Sequence, residues 1–152
     1  MKRVVLCAAM VASMLSALPA MAQGPKPEDV IEFRQGVYKV IGWYFGPLGA
    51  MAKGDMPFDS QVAARNAGIV ADMSKIAPDA FVRGSDAGET AVLPDVWSKS
   101  QDFDKVMTNF QQQSAKLAEV AQSGDFDAFR AQVGETGKAC KACHDDFRKK
   151  RR

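Results

Sequence analysis

The chain has 152 residues, 47% of them hydrophobic and 25% charged, with 20 Lys and Arg set against 18 Asp and Glu. That length bounds it to one domain with a modest core. A formal net charge of +2 gives no reason to expect a nucleic-acid partner.

The first element is a leader. Lys2 and Arg3 precede an apolar run from Val4 to Leu18, and Ala20-Met21-Ala22 has the small-x-small pattern of a cleavage site. The run is brief for a membrane span. Residues 1–22 are therefore expected to be a cleaved signal peptide, and residues 23–152 a single mature domain in a bacterial periplasm, without a membrane span. Cleavage removes Cys7, Lys2 and Arg3 and leaves 18 charges of each sign.

The mature chain reads as helix after helix. Pro27 with Glu28 and Asp29 is an N1 proline followed by an acidic first turn, and Val30, Phe33, Val37, Ile41, Tyr44 and Leu48 then recur at helical spacing. Gly54 to Pro57 closes this helix. Asp59 can cap a second, with Val62, Asn66, Ile69, Met73 and Ile76 on one side and Pro78 as its stop. Gly84 to Pro94 is the longest loop. A third helix follows Asp95, carrying Phe103, Met107, Phe110, Leu117 and Ala121 and ending at Ser123-Gly124. A fourth opens at Asp125 with Phe126, Phe129, Val133, Cys140, His144 and Phe147 in register. The pattern predicts an all-α, antiparallel up-down-up-down four-helix bundle. Arg148 to Arg152 form a basic tail, read as a solvated helix end favoured by the macrodipole, or as a dock for an acidic redox partner or membrane surface.

The chemistry sits in the fourth helix, where Cys140-Lys141-Ala142-Cys143-His144 spells Cys-x-x-Cys-His, the attachment motif of a c-type haem. Two thiols would take the haem vinyl groups as thioethers, and the adjacent imidazole would be an axial iron ligand. Zinc prefers four ligands, yet beyond residue 22 the only cysteines are Cys140 and Cys143, and His144 is the only histidine. A redox dithiol would be expected at a helix N-terminus after a strand, and no strand pattern precedes this one. A local disulfide is the remaining alternative.

The position of the motif limits the other side of the iron. Only eight residues follow His144, so any distal group must come from an earlier helix. Placing His144 about two turns before the end of its helix sets it opposite residues about two turns into the first. That level holds Tyr38, with Met73 and Met107 near it on the second and third helices. No second histidine is available as sixth ligand.

Several stretches resemble the cytochromes c prime, the class II c-type cytochromes: Pro27-Glu28-Asp29 through Arg34-Gln35, Phe45-Gly46, Lys53-Gly54, and Gly137 through Arg148 with its haem motif. The resemblance covers essentially the whole mature chain and implies one covalent haem c in a four-helix bundle. It further implies a five-coordinate, high-spin iron whose distal face is covered by the residue four after the first-helix arginine, here Tyr38 after Arg34. Arg34 and Gln35 match the family's haem-edge pair, with the guanidinium on a propionate. Arg148, four residues after His144 and so expected on the same helix face, matches the arginine sheltering the proximal side. Pro47 departs from the family pattern and is expected to bend the first helix beyond the haem level.

The first helix is apolar nearly all round, with Val40, Trp43 and Phe45 alternating with Ile41 and Tyr44, more than one bundle-facing stripe can bury. Together with the family's habit of pairing through this helix, that predicts a homodimer. Two functions fit such a protein: binding nitric oxide or carbon monoxide at an open distal site, and electron transfer with periplasmic redox partners. A six-coordinate, low-spin carrier with a methionine ligand is the alternative. No acid-base constellation stands beside the motif, so an enzyme is not expected.

Overall fold

The computed structural model describes residues 24–150; the expected signal peptide, 1–22, lies outside them. Four long helices dominate: α1 (Pro27–Lys53), α2 (Ser60–Ile76), α4 (Ser100–Ser123) and α5 (Phe126–Phe147). Between α2 and α4 come a single 3-10 turn, Ala77–Ala80, and the short helix α3, Asp95–Ser98. The architecture is the expected all-α bundle, with α1 packed on α2 and α5, and α4 packed on α2 and α5.

The helix ends follow the local chemistry. Pro27 opens α1, and Gly54, at φ 84°, closes it by donating its backbone N–H back to the carbonyl of Met51, a left-handed cap that suits a residue without Cβ. The Asp59 carboxylate accepts from the N–H groups of Gln61 and Val62 at 2.9 and 3.0 Å, and Asp125 accepts from Ala128 at 3.0 Å. Both satisfy donors that a helix start leaves unpaired. Pro47 cannot donate to the carbonyl of Trp43, yet α1 runs unbroken past it to Lys53.

The core comes from the expected faces of α4 and α5, where Phe103, Met107, Phe110, Leu117, Phe129 and Val133 are buried. On α2 the buried face is displaced from the expected one. Ala63, Ala67, Val70 and Ser74 point inward, while Val62 and Ile76 are exposed, because small residues let α2 come close to α1 and α4. On α1, Val30, Val37, Ile41 and Leu48 are buried as expected, but Phe33 is 46% exposed. A polar seam joins α4 to α5: Gln132 Nε2 donates to the Gln113 side-chain oxygen at 2.8 Å, and Thr136 Oγ1 to the Gln113 carbonyl at 3.2 Å. Buried polar groups satisfied across an interface favour one register over its alternatives.

The end of α5 differs from the expectation. The helix stops at Phe147, so His144 lies in its last turn rather than two turns inside, and Arg148 is not one turn along the same helix face but extended, at φ −124° and ψ 136°. Arg148 forms an isolated antiparallel bridge with Val92. Leu93 N–H donates to the Phe147 carbonyl at 3.0 Å and Lys149 N–H to the Ala91 carbonyl at 2.8 Å. The loop supplies backbone partners that solvent would otherwise have to supply, and this takes the chain out of the helix.

Candidate cofactor site

A cavity of about 590 Å³ lies between α1, α4, α5 and the segment that follows the 3-10 turn. Its wall includes Tyr38, Ile41 and Phe45 of α1, Met107 and Phe110 of α4, and Cys140, Cys143, His144 and Phe147 of α5. Phe81, Thr90, Ala91 and Val92 close it from the loop side. The volume lies within the roughly 300–1,000 Å³ usual for cofactor pockets, and the mostly apolar wall with a few polar groups is the usual chemistry of such a pocket. Gly42 and Gly137 also line it, and a Cβ at either would meet no atom within 4 Å.

The motif residues converge on this space because i and i+3 share a helix face, bringing Cys140 and Cys143 together, with His144 one turn after Cys140. Neither cysteine is in a disulfide, and both are half-buried at the wall. Burial raises the pKa of each thiol. For Cys143 it is reinforced by Cys140 and opposed by Arg148, and the value is pushed up to about 11. Among the described residues, no group of three or more His, Cys, Asp and Glu is arranged to hold a metal ion directly. Two thiols and one imidazole on an apolar wall suit a metal carried inside a macrocycle. Lys138 and Lys141 are exposed and paired with Glu135 and Asp145.

Tyr38 lies across this space on α1. Burial raises its phenol well above the ordinary tyrosine range, followed by the Cys143 and Cys140 thiols, with Arg34 opposing. The ring therefore stays a neutral phenol at physiological pH. Met107 is buried in the wall, whereas Met73 is not among the lining residues.

Arg34 is 4% exposed, and its partners are loop atoms that the sequence did not indicate. Nη1 donates to the Ala80 carbonyl and the Ser85 hydroxyl, both at 2.9 Å, and Nη2 to the Ser85 carbonyl at 2.7 Å and the Thr90 hydroxyl at 2.9 Å. Burial lowers its pKa, opposed by Tyr38 and Asp86. Gln35, next to it, is exposed and donates to the Glu89 carbonyl at 2.8 Å. Arg34, Gln35 and Arg148 all still line the cavity. Missing from the sequence reading were Phe81, Ser85 and Thr90. No periodicity marks them, because they lie in irregular chain whose position is set by contacts with α1.

The sequence matches the family model described as Cytochrome C' over residues 29–148. Cytochrome c' of Rubrivivax gelatinosus is 43% identical over 129 residues, covering 84% of this chain and all of that one. Cytochrome c prime from Shewanella frigidimarina superposes with a TM-score of 0.81 at 42% identity, covering 84% of this chain and all of the other. A ferrous variant of cytochrome c prime from Alcaligenes xylosoxidans with bound nitric oxide gives a TM-score of 0.78 at 32% identity, covering 85% of this chain and all of the other; another variant from the same organism has carbon monoxide bound.

Proposed function

The chain belongs to the cytochrome c' family, and on that premise we propose that it is a periplasmic protein with a five-coordinate, high-spin iron that transfers electrons and binds nitric oxide or carbon monoxide. The cofactor of the family is one covalent haem c, which when bound supplies ferric–ferrous redox chemistry and a coordination position for a diatomic gas. The observation that carries the reading is the meeting of Tyr38, Cys140, Cys143 and His144 on one apolar cavity.

Cys140 and Cys143 would hold the cofactor as thioethers, and the His144 imidazole would ligate its iron. Tyr38, neutral and bulky, would cover the opposite side without ligating. Gln35 stands exposed at the haem edge, where its amide could receive a carboxylate, whereas the terminal nitrogens of Arg34, expected on a propionate, are committed to Ala80, Ser85 and Thr90 and fix the wall beside it; Arg148 would shelter the proximal side from its bridge with Val92. None of the lining residues is Asp or Glu, so the wall offers no carboxylate general base, and we read the protein as a carrier and binder rather than an enzyme.

The chain is exported by residues 1–22 and pairs as a homodimer through α1. Phe33, Val40 and Trp43 recur on one exposed side of that helix, Trp43 at 74% exposure, and such a stripe marks an interaction surface. Among the described residues, no helix is long and apolar enough to cross a membrane.

The absorption spectrum of the purified ferric protein tests the iron state. A high-spin spectrum is expected. A low-spin spectrum with a methionine signature would favour the six-coordinate carrier, with Met107, which lines the cavity, as the ligand.

A further inference from the structure

We infer that Phe81 is a positioning residue for the distal cap: its ring holds the Tyr38 phenol in place and so sets how fast a diatomic gas reaches the iron. This rests on the reading of Tyr38 as the cap.

Phe81 is the first residue after the 3-10 turn Ala77–Ala80. Its backbone is fixed at both polar groups, because its N–H donates to the Pro78 carbonyl at 3.1 Å and its carbonyl accepts from Trp97 Nε1 at 3.3 Å. Three neighbours grip its ring. Phe103 meets it with ring centroids 4.7 Å apart and planes at 60°, and the Arg34 guanidinium carbon stands 5.4 Å from the ring centroid. The third neighbour is Tyr38, edge-on at 6.1 Å and 75°. Edge-to-face geometry is the favoured one for two aromatic quadrupoles.

The consequence is a difference in freedom between the two rings. Arg34 is itself held by the Ala80 and Ser85 carbonyls, so Phe81 is backed by a buried cation and a core aromatic. Tyr38 borders the cavity as Phe81 does, and Phe81 meets its ring from the loop side. An entering gas must displace the Tyr38 ring, and that displacement breaks the contact with Phe81. Phe81 therefore adds to the barrier for ligand entry while acting only through Tyr38. Arg34, one turn before Tyr38 on the same face of α1, links the cap to the loop by the same cation that steadies Phe81.

Carbon monoxide association with the ferrous holoprotein, followed by stopped flow, tests this in four proteins: unaltered, Phe81→Leu, Tyr38→Ala and the double variant. Losing one aromatic pair contact should raise the rate about two- to tenfold in Phe81→Leu. In the Tyr38→Ala background, Phe81→Leu should change nothing further; with Tyr38 in place, a fifth protein, Phe81→Tyr, keeps the ring and should keep the slow rate. The thermal midpoints of the four proteins should be non-additive, a readout independent of gas binding. Equal acceleration by Phe81→Leu in both backgrounds would show that Phe81 merely narrows the cavity and would overturn the inference. So would an unchanged rate in Phe81→Leu while Tyr38→Ala is fast. If Tyr38→Ala itself binds at the unaltered rate, the cap reading fails and this inference with it. Should Phe81→Leu fail to take up haem, Phe81→Met makes the same deletion of the ring.

Discussion

Arg34 and Ser85, 51 positions apart, are joined twice: Nη1 donates to the serine hydroxyl at 2.9 Å and Nη2 to the serine carbonyl at 2.7 Å. The serine hydroxyl in turn donates to the Val82 carbonyl at 2.6 Å. One buried side chain of α1 thereby organises the segment that walls the cavity, and the same segment pairs with the extended residues after α5 through the isolated bridge of Val92 and Arg148. The helix carrying Cys140 and Cys143 and the helix carrying Tyr38 are tied through irregular chain as well as through the core.

Arg34→Met should therefore destabilise the protein more than an ordinary surface change. It removes charge-assisted hydrogen bonds and leaves the Ala80 and Ser85 carbonyls short of a partner, a cost on the order of 3 kcal/mol. Urea unfolding of the holoprotein measures it. A loss below about 0.5 kcal/mol, the usual range for surface substitutions, would show that the loop holds itself.

Covalent attachment should be visible by mass. The denatured protein should retain one haem, and acid-acetone should extract none, if Cys140 and Cys143 form the thioethers of the family's covalent haem c. Cys140→Ser or Cys143→Ser should hold haem by a single link, and the double replacement should release it. His144→Ala should lose the high-spin spectrum of the unaltered protein, since the axial nitrogen is gone.

The exposed side of α1 should govern assembly. Sedimentation at micromolar concentration should show a dimer, and Trp43→Glu or Val40→Glu should weaken it at least tenfold, since a charge in an apolar contact must be desolvated. A monomer at every accessible concentration would remove the pairing role of this face.

Alkaline pH should act through Tyr38. Its pKa is raised in the fold, chiefly by burial, above the value near 10 of an unfolded tyrosine. The sign follows from proton binding: above pH 10 the unfolded chain gives up a proton that the folded phenol keeps. Folding stability associated with this residue is thus fully present below about pH 10 and declines as pH rises toward the folded pKa. Urea midpoints between pH 9 and 11.5 should fall less steeply for Tyr38→Phe than for the unaltered protein. Parallel profiles would mean that the phenol titrates normally.

The four long helices and the class of cofactor were legible in the linear order of residues. Helices are built from contacts three and four residues apart, and caps such as Asp59 and Asp125 act on N–H groups two or three residues away, so both are legible in a linear string. Cys-x-x-Cys-His is legible for the same reason. Tertiary structure alone decided which face of α2 is buried, because Ala63 and Ala67 outrank Val62 and Ile76 only when a neighbouring helix comes close enough to need small residues. It also decided where α5 ends, since Phe147 and Arg148 leave the helix for backbone partners more than 50 positions earlier in the chain. Arg34 shows the division most directly. Its resemblance to the family's haem-edge arginine placed it beside the site, but its four hydrogen bonds depend on where the loop after the 3-10 turn comes to rest, and no periodicity encodes that.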